Sequence, residues 1–303
     1  MSPLAYDGSF YCYGKGERLS ARGMTRLPTL SIVTPSFNQA AFIREALMSV
    51  RDQNYRQCEH VVIDGASSDE TVALLSELSL DSQETTLRWV SESDRGQAHA
   101  LNKGFVRATG DIIGWLNSDD RYRPGAFDSV VTALERHPEI DILYGDYTWI
   151  DARGHVERVR REIAFSRFIL LYHRVLYIPT TATFFRRRVF DDGNLLDESL
   201  HYALDFEFFV RLSLRGYRFM HIRQLLADFR LHGASKTCTA PEKQLAEQDA
   251  IMRRYSSVPD YFTNKAVQNL SFRMLRSVAG GLRYSRKLVT GCYFPASAPS
   301  DPA

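Results

Sequence analysis

Apolar and polar positions alternate with two different periods along the first half of the chain. Short apolar runs predict buried β-strands, and apolar positions spaced three or four residues apart predict amphipathic helices. The predicted strands are Leu30–Thr34, His60–Asp64, Leu87–Val90 and Ile112–Leu116. The predicted helices are Asn38–Arg51, a helix containing Leu74, Leu75 and Leu78, Gln97–Ala108 and Pro124–Arg136. Strand–helix units in succession predict an α/β fold with a mostly parallel, doubly wound central sheet flanked by helices.

The second half of the chain has a more mixed pattern. Its predicted strands are 140–150, 181–186, 217–222 and 226–231, and its predicted helices are 165–171 and 204–214. Because no segment rich in Pro, Gly or Ser separates the halves, we expect one domain over residues 29–235, with a first half at 29–123 and a second half at 124–235. Residues 1–28 form an N-terminal extension without periodicity, and residues 236–303 form a helical, basic tail.

The tail combines helical periodicity with an unbalanced charge. From Tyr261 to Ser300 there is no acidic residue, whereas lysines and arginines recur throughout. Apolar residues at helical spacing predict a basic amphipathic helix there; they are Val267, Leu270, Met274 and Val278. Two interpretations are open: the helix packs on the domain, or it contacts an anionic membrane surface.

Composition excludes several classes of protein. With 44% hydrophobic residues in 303, the chain can bury a substantial core, and its net charge of +2 gives no nucleic-acid-binding signature. No apolar run approaches the roughly 18 residues of a membrane span, so we expect a soluble or peripherally attached protein. The scattered cysteines argue against a zinc site and against a disulfide framework, and we expect a cytoplasmic location. They are Cys12, Cys58, Cys238 and Cys292.

Polar clusters follow the predicted strands. The carboxyl ends of parallel strands share one edge of the sheet, where ligands of α/β proteins bind. The clusters are Thr34-Pro35-Ser36-Phe37-Asn38, Asp64-Gly65-Ala66-Ser67-Ser68-Asp69, Glu92-Ser93-Asp94-Arg95-Gly96 and Asn117-Ser118-Asp119-Asp120, and a fifth lies downstream at Asp205-Phe206-Glu207. The sequence therefore predicts one composite site.

The first three clusters have residue types that suit a nucleotide. Asn38 can cap the following helix, and Asp64 can accept hydrogen bonds from a base or a sugar. Asp69 suits a helix cap and a ligand contact equally well. Gly96 allows close backbone approach, and Arg95 can meet phosphate.

The two acidic clusters suit metal binding and proton transfer. The oxygen ligands of Asn117–Asp120 suit Mg²⁺ or Mn²⁺ with a phosphorylated ligand, although an Asp-rich turn that caps the next helix is the alternative. Asp205 has apolar neighbours, which suits a general base, and its alternative role is an N-cap. The first turn lacks the GxGxxG fingerprint of dinucleotide-binding oxidoreductases, and no Walker-type P-loop is present.

Five motifs occur in an order that resembles family 2 glycosyltransferases with the GT-A fold. They are S-I-V-T-P-S-F-N, S-V-R-D-Q-N-Y, V-V-I-D-G-A-S-S-D-E-T, S-E-S-D-R-G-Q-A-H-A-L-N-K-G-F and A-T-G-D-I-I-G-W-L-N-S-D-D. The similarity covers roughly residues 29–235 and includes P-T-T-A-T-F-F-R at 179–186 and D-F-E-F-F-V-R-L at 205–212. The GT-A fold that this resemblance implies binds a nucleotide sugar in the half at 29–123 and an acceptor in the half at 124–235.

The resemblance implies a role for each matching residue. Residues that line the donor pocket would be Thr34, Pro35, Ser36, Asn38, Asp64, Ser67, Asp69, Asp94, Arg95, Gly96, Asn117, Ser118 and Arg230. Asp64 would read the base, most often uracil, and Arg230 would face the diphosphate. Asp119 would bind Mg²⁺ or Mn²⁺, with His232 and Asp120 as further metal candidates and Asp120 alternatively supporting Asp119 from behind. Asp205 would be the general base.

The chain departs from the family's D-x-D signature at one position. Asn117 replaces the first aspartate, so this position brings an amide oxygen but no charge, and metal affinity would be lower. We expect transfer with inversion from a nucleotide-diphosphate sugar to a sugar or a lipid-linked sugar acceptor, in bacterial surface polysaccharide or glycolipid synthesis. The alternatives are a nucleotidyltransferase and a non-catalytic nucleotide-sugar-binding protein.

Overall fold

One mixed sheet forms the centre of the protein. The computed structural model describes residues 27–80, 85–233, 235 and 240–292; most of the N-terminal extension, Cys12 and Cys238 lie outside them. The strands are β1 (Leu30–Ser36), β2 (Cys58–Asp64), β3 (Thr86–Ser91), β4 (Ile112–Trp115), β5 (Arg121–Tyr122), β6 (Ile142–Ile150), β7 (Val156–Arg160), β8 (Thr183–Arg186) and β9 (Phe219–Arg230). Their order is β3-β2-β1-β4-β8-β6-β9-β5, with β7 paired to β6.

The helices connect and cover these strands. They are α1 (Ile43–Arg51), α2 (Thr71–Leu80), α3 (Gln97–Arg107), α4 (Ala126–Arg136), α5 (Arg167–Tyr172), α6 (Arg188–Asp191), α7 (Leu204–Leu214), α8 (Pro241–Tyr255), α9 (Val258–Tyr261) and α10 (Lys265–Val289), with a short 3₁₀ helix at Thr180–Ala182. The predicted α/β class with a helix-flanked sheet is confirmed.

The first half is the parallel part of the sheet. β1 pairs in parallel with β2 and β4, and β2 pairs in parallel with β3. Every residue of β1 is buried, because helices cover both of its faces. Gly104 lets α3 lie close to β1, since a Cβ at this position would overlap the side chain of Val33. This packing brings the ends of β1, β2, β3 and β4 to one edge.

The second half differs from the sequence prediction most clearly in the strands β9 and β7. The two strands predicted at 217–222 and 226–231 are one strand, β9, whose parallel register with β6 shifts beside Gly145 and Asp146. The irregularity falls at the polar, exposed pair Arg223 and Gln224, which interrupts the apolar pattern and made one strand read as two. β7 was not predicted, because its side chains are mostly exposed; it follows a turn in which Gly154 has φ +84°.

The C-terminal helices pack on the second half. α8 contacts α7, and α10 contacts α5. Within the described part of the chain, no helix combines the length and the apolarity that crossing a bilayer requires.

Candidate active site

The loops after β1 and β2 are fastened to each other. Asn38, at φ +52°, donates its backbone N–H to Ser67 Oγ (2.7 Å), and its side-chain oxygen accepts from the Ser68 N–H (2.9 Å). The prediction that Asn38 caps the next helix is wrong, because α1 begins at Ile43 after Phe42 and the Asn38 amide is already used by the neighbouring loop. Asn38 instead ties the loop after β1 to the loop after β2.

Asp69 has two structural tasks. Its Oδ1 accepts from the Thr71 N–H (3.0 Å) at the start of α2, and its Oδ2 accepts from the Ala40 N–H (3.0 Å). The helix-cap interpretation of Asp69 is therefore correct, and the same carboxylate also holds the loop after β1. A ligand contact by Asp69 stays a prediction.

Asp64 is fully buried at the end of β2, and its carboxylate is held on both oxygens. It accepts from the Ser67 N–H (2.9 Å), Ser67 Oγ (2.5 Å) and Ser91 Oγ (2.7 Å). Three donors compensate for the loss of water around the carboxylate and fix its orientation. Asp64 thus stands rigidly between the ends of β2 and β3, where its predicted role is to read the base.

The end of β1 has one bonded and one unbonded hydroxyl. Thr34 is fully buried and its Oγ1 lies 2.8 Å from His60 Nε2. Burial lowers the pKa of His60 to about 3, so the imidazole is neutral. Ser36 is 4% exposed, and its hydroxyl has no hydrogen-bond partner among the described residues. This hydroxyl, next to Pro35, is therefore available to hydrogen-bond a ligand.

The loop after β3 approaches the loop after β2 over Gly65. A Cβ at Gly65 would come within 2.5 Å of Asp94 Oδ2, so a larger residue here would have to displace this carboxylate. Asp94 Oδ1 in turn accepts from the N–H of Gly96, whose φ of +115° suits glycine. The exposed ring of Phe37 also lies beside Gly65.

Arg95 connects the two halves. Its guanidinium is 69% exposed and forms an ion pair with Glu198, whose other oxygen accepts from Asn102 (3.2 Å). Glu198 was not among the predicted site residues. In the sequence, Glu198 is only an acidic residue a few positions before the amphipathic helix that contains Asp205, and no motif connects it with Arg95. The pair brings the segment leading into α7 against the donor loops.

The acidic turn after β4 is built around Asn117. Its side-chain oxygen, as assigned from the hydrogen-bond network, accepts from Trp115 Nε1 (3.0 Å) and Gln97 Nε2 (3.1 Å). Its amide nitrogen donates to Asp120 Oδ2 (3.1 Å). An aspartate at this position could not donate to Asp120, and two carboxylates would face each other. Asn117 therefore links β4, α3 and the turn, and the neighbouring Ser118 is buried.

Asp119 and Asp120 lie in different environments. Asp120 is 1% exposed, and its Oδ1 accepts from the Arg230 N–H (2.8 Å). Burial, and then the neighbouring charge of Asp119, raise the pKa of Asp120 well above its ordinary value. Asp119 is accessible, with 23% of its side chain exposed, and its Oδ2 lies 3.1 Å from His232 Nε2. The geometry fits the alternative in which Asp120 supports Asp119 from behind.

Arg230 lies beneath this turn at the end of β9. Its side chain is 1% exposed, and it donates to the backbone carbonyls of Asp119 (2.8 Å), Asp151 (3.2 Å) and Ala152 (3.2 Å) and to the Glu45 carboxylate. The expectation that Arg230 faces the diphosphate is contradicted by this arrangement, because its N–H groups are directed at protein oxygens. Arg230 is a buried support for the acidic turn.

His232 completes the accessible part of the site. Its ring lies 4.7 Å from the ring of Phe42, centre to centre, which orients Nε2 toward Asp119. Among the described residues, no group of three or more His, Cys, Asp or Glu side chains is arranged to hold a metal. A carboxylate and an imidazole that converge at an accessible edge nevertheless fit Mg²⁺ or Mn²⁺, which takes one or two protein ligands and completes its coordination with phosphate oxygens.

Asp205 lies in the first turn of α7. The helix cap is Ala203, so the alternative in which Asp205 is the N-cap is wrong. Asp205 is half-buried, and its Oδ1 accepts from the Phe206 N–H (2.7 Å). The flanking residues Phe206, Glu207 and Phe208 are buried, and Glu207 pairs with Arg211 (2.8 Å). The buried residues next to Asp205 therefore hold α7 in place, while Asp205 itself is partly exposed.

Comparison with known proteins defines the class to which this site belongs. The sequence model of the family "Glycosyl transferase family 2" matches residues 31–193. The chain therefore belongs to glycosyltransferase family 2 and is a glycosyltransferase enzyme, as its motifs predicted.

Individual relatives agree with this assignment. An uncharacterized glycosyltransferase of Mycobacterium tuberculosis is 35% identical over 193 residues, which are 63% of this chain and 71% of the relative. The O-antigen biosynthesis protein RfbC of Myxococcus xanthus is 35% identical over 134 residues, 44% of this chain and 10% of that protein.

Two solved structures share the fold. The S. aureus TarS 1–349 complex with UDP-GlcNAc has a TM-score of 0.58 at 19% identity, covering 75% of this chain and 71% of that one. The mannosyltransferase PcManGT of Pyrobaculum calidifontis, in complex with GDP-Man and Mn²⁺, has a TM-score of 0.60 at 18% identity, covering 90% and 77%. These similarities confirm the predicted GT-A fold.

Proposed function

We propose that this enzyme transfers a sugar from a UDP-sugar to an acceptor hydroxyl with inversion at the anomeric carbon. One observation carries the proposal: a continuous series of contacts joins the ends of β1, β2, β3, β4 and β9. It runs from Asn38 to Ser67, from Gly65 to Asp94, from Gln97 to Asn117 and from Asp119 to His232. Such a rim of polar loops offers hydrogen-bonding groups suited to the base, the sugars and the diphosphate of a nucleotide sugar.

The donor lies along this rim in the proposal. Asp64, fixed by Ser67 and Ser91, accepts an N–H of the base, and Phe37 offers an exposed ring to its face. The unpartnered hydroxyl of Ser36 and the N–H groups near Gly96 face the ribose and the diphosphate. TarS with UDP-GlcNAc and PcManGT with GDP-Man support a nucleotide-sugar donor. The choice of UDP rests on the resemblance of the base-reading loop to the family's uracil-binding loop.

Asp119 and His232 hold a divalent metal in the proposal, and Asp120 and Arg230 keep Asp119 in place. When bound, the metal supplies positive charge at the diphosphate that leaves. The Mn²⁺ in the PcManGT complex supports this use of a metal. Asn117 is uncharged and its side-chain oxygen is engaged by Trp115 and Gln97, and Asp120 is buried. The charged ligand of this turn in the proposal is therefore Asp119.

Asp205 is the general base in the proposal. The acceptor oxygen attacks the anomeric carbon from the face opposite the diphosphate, and the bond from that carbon to the diphosphate oxygen breaks with its electron pair on the leaving group. The hydroxyl proton goes to the carboxylate of Asp205, whose Oδ1 also accepts from the Phe206 N–H. General-base assistance of this kind contributes roughly 10²–10⁴-fold. Attack from the opposite face produces inversion, as in inverting glycosidases.

The acceptor is a sugar or a lipid-linked sugar of a bacterial surface polysaccharide or glycolipid. The relative named for O-antigen biosynthesis supports this class. The surface that would bind it is formed by residues 145–205, between β6 and α7. We propose that the enzyme works in the cytoplasm, at the inner face of the membrane where such acceptors are extended.

A panel of nucleotide sugars tests the proposal. The purified protein is incubated with each donor and Mg²⁺ or Mn²⁺, and the released nucleotide is identified. Release of UDP from one or a few UDP-sugars supports the proposal, release of pyrophosphate would indicate a nucleotidyltransferase, and binding without turnover by any acceptor would indicate a binding protein. The anomeric configuration of the product, measured by NMR, tests inversion.

A further inference from the structure

The long C-terminal helix α10 has its charged face turned inward. Arg276 pairs with Asp249 (3.1 Å), and Arg283 and Lys287 pair with Glu162 (2.8 and 2.9 Å). The side chain of Glu162 is completely buried, so these ion pairs fix which face of the helix contacts the domain. Phe272 and Ala279 are buried on the same face.

The opposite face of α10 is apolar and exposed. Its residues recur every three or four positions and form one line along the helix, which we call the apolar stripe. The stripe consists of Val267 (40% exposed), Leu270 (58%), Met274 (62%), Val278 (54%) and Leu282 (43%). An ordinary surface helix places its apolar residues against the core, so a continuous outward stripe indicates a binding surface.

Basic residues line both margins of the stripe. By helical position, Arg273 lies on one side and Arg286 on the other, and both are exposed. The helix itself contains no acidic residue. Long arginine side chains at such margins can extend their charges toward phosphate groups while their methylene groups follow the apolar surface.

We propose that the apolar stripe of α10 docks on an anionic lipid bilayer. An apolar line between cationic margins matches the acyl boundary and the headgroups of such a surface. A second copy of the chain fits less well, because a two-fold interface would set the same basic margins against each other.

The position of α10 connects this surface to the acceptor half. α10 packs on α5 and pairs with Glu162, which follows β7, so docking holds the half between β6 and α7 near the bilayer. The use of docking to reach a lipid-linked acceptor rests on the proposed function, whereas docking itself is measured without a donor.

Vesicle flotation tests the proposal with the full chain. We expect the protein to float with phosphatidylcholine vesicles that contain about a third phosphatidylglycerol, and to float much less with phosphatidylcholine alone. Leu270→Gln/Met274→Gln/Val278→Gln should weaken binding roughly tenfold or more. Arg273→Gln and Arg286→Gln should each weaken it by roughly fivefold.

Matched variants control for general changes of surface. Leu80→Gln/Val106→Gln/Val156→Gln removes exposed apolar residues elsewhere, and Arg56→Gln/Arg136→Gln removes exposed charges elsewhere. Both should bind vesicles like the parent chain, and thermal unfolding should be unchanged in all variants. Equal flotation of the stripe variant and the parent would overturn the proposal. A parent chain that is a dimer, with a stripe variant that is a monomer and floats equally well, would show instead that the stripe binds a second copy. UDP release without acceptor measures the proposed function separately.

Discussion

The donor half and the acceptor half position their polar residues by different means. In the donor half, short loops bond to one another, as Asn38 does with Ser67 and Asp64 does with Ser91. In the acceptor half, Asp205 is placed by a helix whose neighbouring residues are buried, and Glu198 reaches back to Arg95. The proposed donor site is thus preorganised by local bonds, whereas the proposed acceptor site depends on how the second half packs against the first.

This difference explains what a substitution in each half should do. A change in these mutually bonded loops disturbs several neighbours, since Asp64 and Asp69 each accept three hydrogen bonds. A change at Asp205 should leave the helix intact, because the helix is anchored by other residues. The two halves should therefore be separable by experiment.

Asp205→Asn should have the largest effect. We expect sugar transfer to fall by roughly 10²–10⁴-fold, because no general base remains to take the proton of the acceptor hydroxyl. Binding of the nucleotide sugar should not change. Transfer and the dissociation constant of the nucleotide sugar are measured side by side. Asp191→Asn, an exposed substitution in the same half, is the control. Equal loss of binding and transfer would show that Asp205 is structural.

Arg230→Met should mainly reduce stability. The substitution removes the guanidinium donor from the carbonyls of Asp119 and Ala152 and one of two donors from the carbonyl of Asp151, which keeps the Gly154 N–H. We expect a loss of about 3 kcal/mol in the free energy of unfolding. Denaturant unfolding measures it, with Arg123→Met as a more exposed control whose partner Asp228 keeps Arg121. Unchanged stability with lost diphosphate affinity would return Arg230 to the role of a phosphate ligand.

Asp119→Asn should reduce metal-dependent activity. The turn would lose its accessible charge, and we expect transfer at limiting Mn²⁺ to fall roughly 10²-fold. Calorimetric titration of Mn²⁺ in the presence of UDP gives a second readout that does not depend on turnover. The exposed Asp128→Asn serves for comparison. Mn²⁺ affinity that does not change would remove Asp119 from the proposed metal site.

His60 should make the donor half sensitive to acid. Its pKa is lowered from 6.5 to about 3 by burial, so the unfolded chain binds a proton that the folded chain does not. Stability is therefore complete above pH 6.5 and decreases as the pH falls toward 3, by about 2 kcal/mol at pH 5. The free energy of unfolding of the parent and of His60→Gln is compared above pH 6.5 and at pH 5. A parent chain with the same pH dependence as the variant would contradict this account.

The sequence predicted the donor half well because strands and loops there are local. The runs at 30–34, 60–64 and 112–116 became β1, β2 and β4 with small changes at their ends, and the polar clusters met at one edge as parallel topology requires. The sequence could not show what each carboxylate bonds to. Asn38 has a side chain suited to a helix N-cap and precedes a helix in the sequence, yet its side-chain oxygen accepts from Ser68 in the loop after β2.

Long-range partners explain the remaining differences. An arginine such as Arg230 has the charge and the hydrogen-bond donors of a phosphate ligand. Only the path of β9 through the sheet places it under Asp119, where its donors are used by the protein. Glu198 has no motif at all, because its importance comes from Arg95, which lies 103 positions earlier. The irregularity in β9 likewise depends on its register with β6 and cannot be read from periodicity alone.

The buried position of Arg230 has a consequence for biosynthesis. The turn that contains Asp119 rests on a side chain 111 residues further along the chain. As a ribosome delivers the polypeptide from its N-terminus, the early strands can pair long before that support emerges. The turn that contains Asp119, which we propose binds the metal, therefore reaches its final arrangement only after β9 has been added to the sheet.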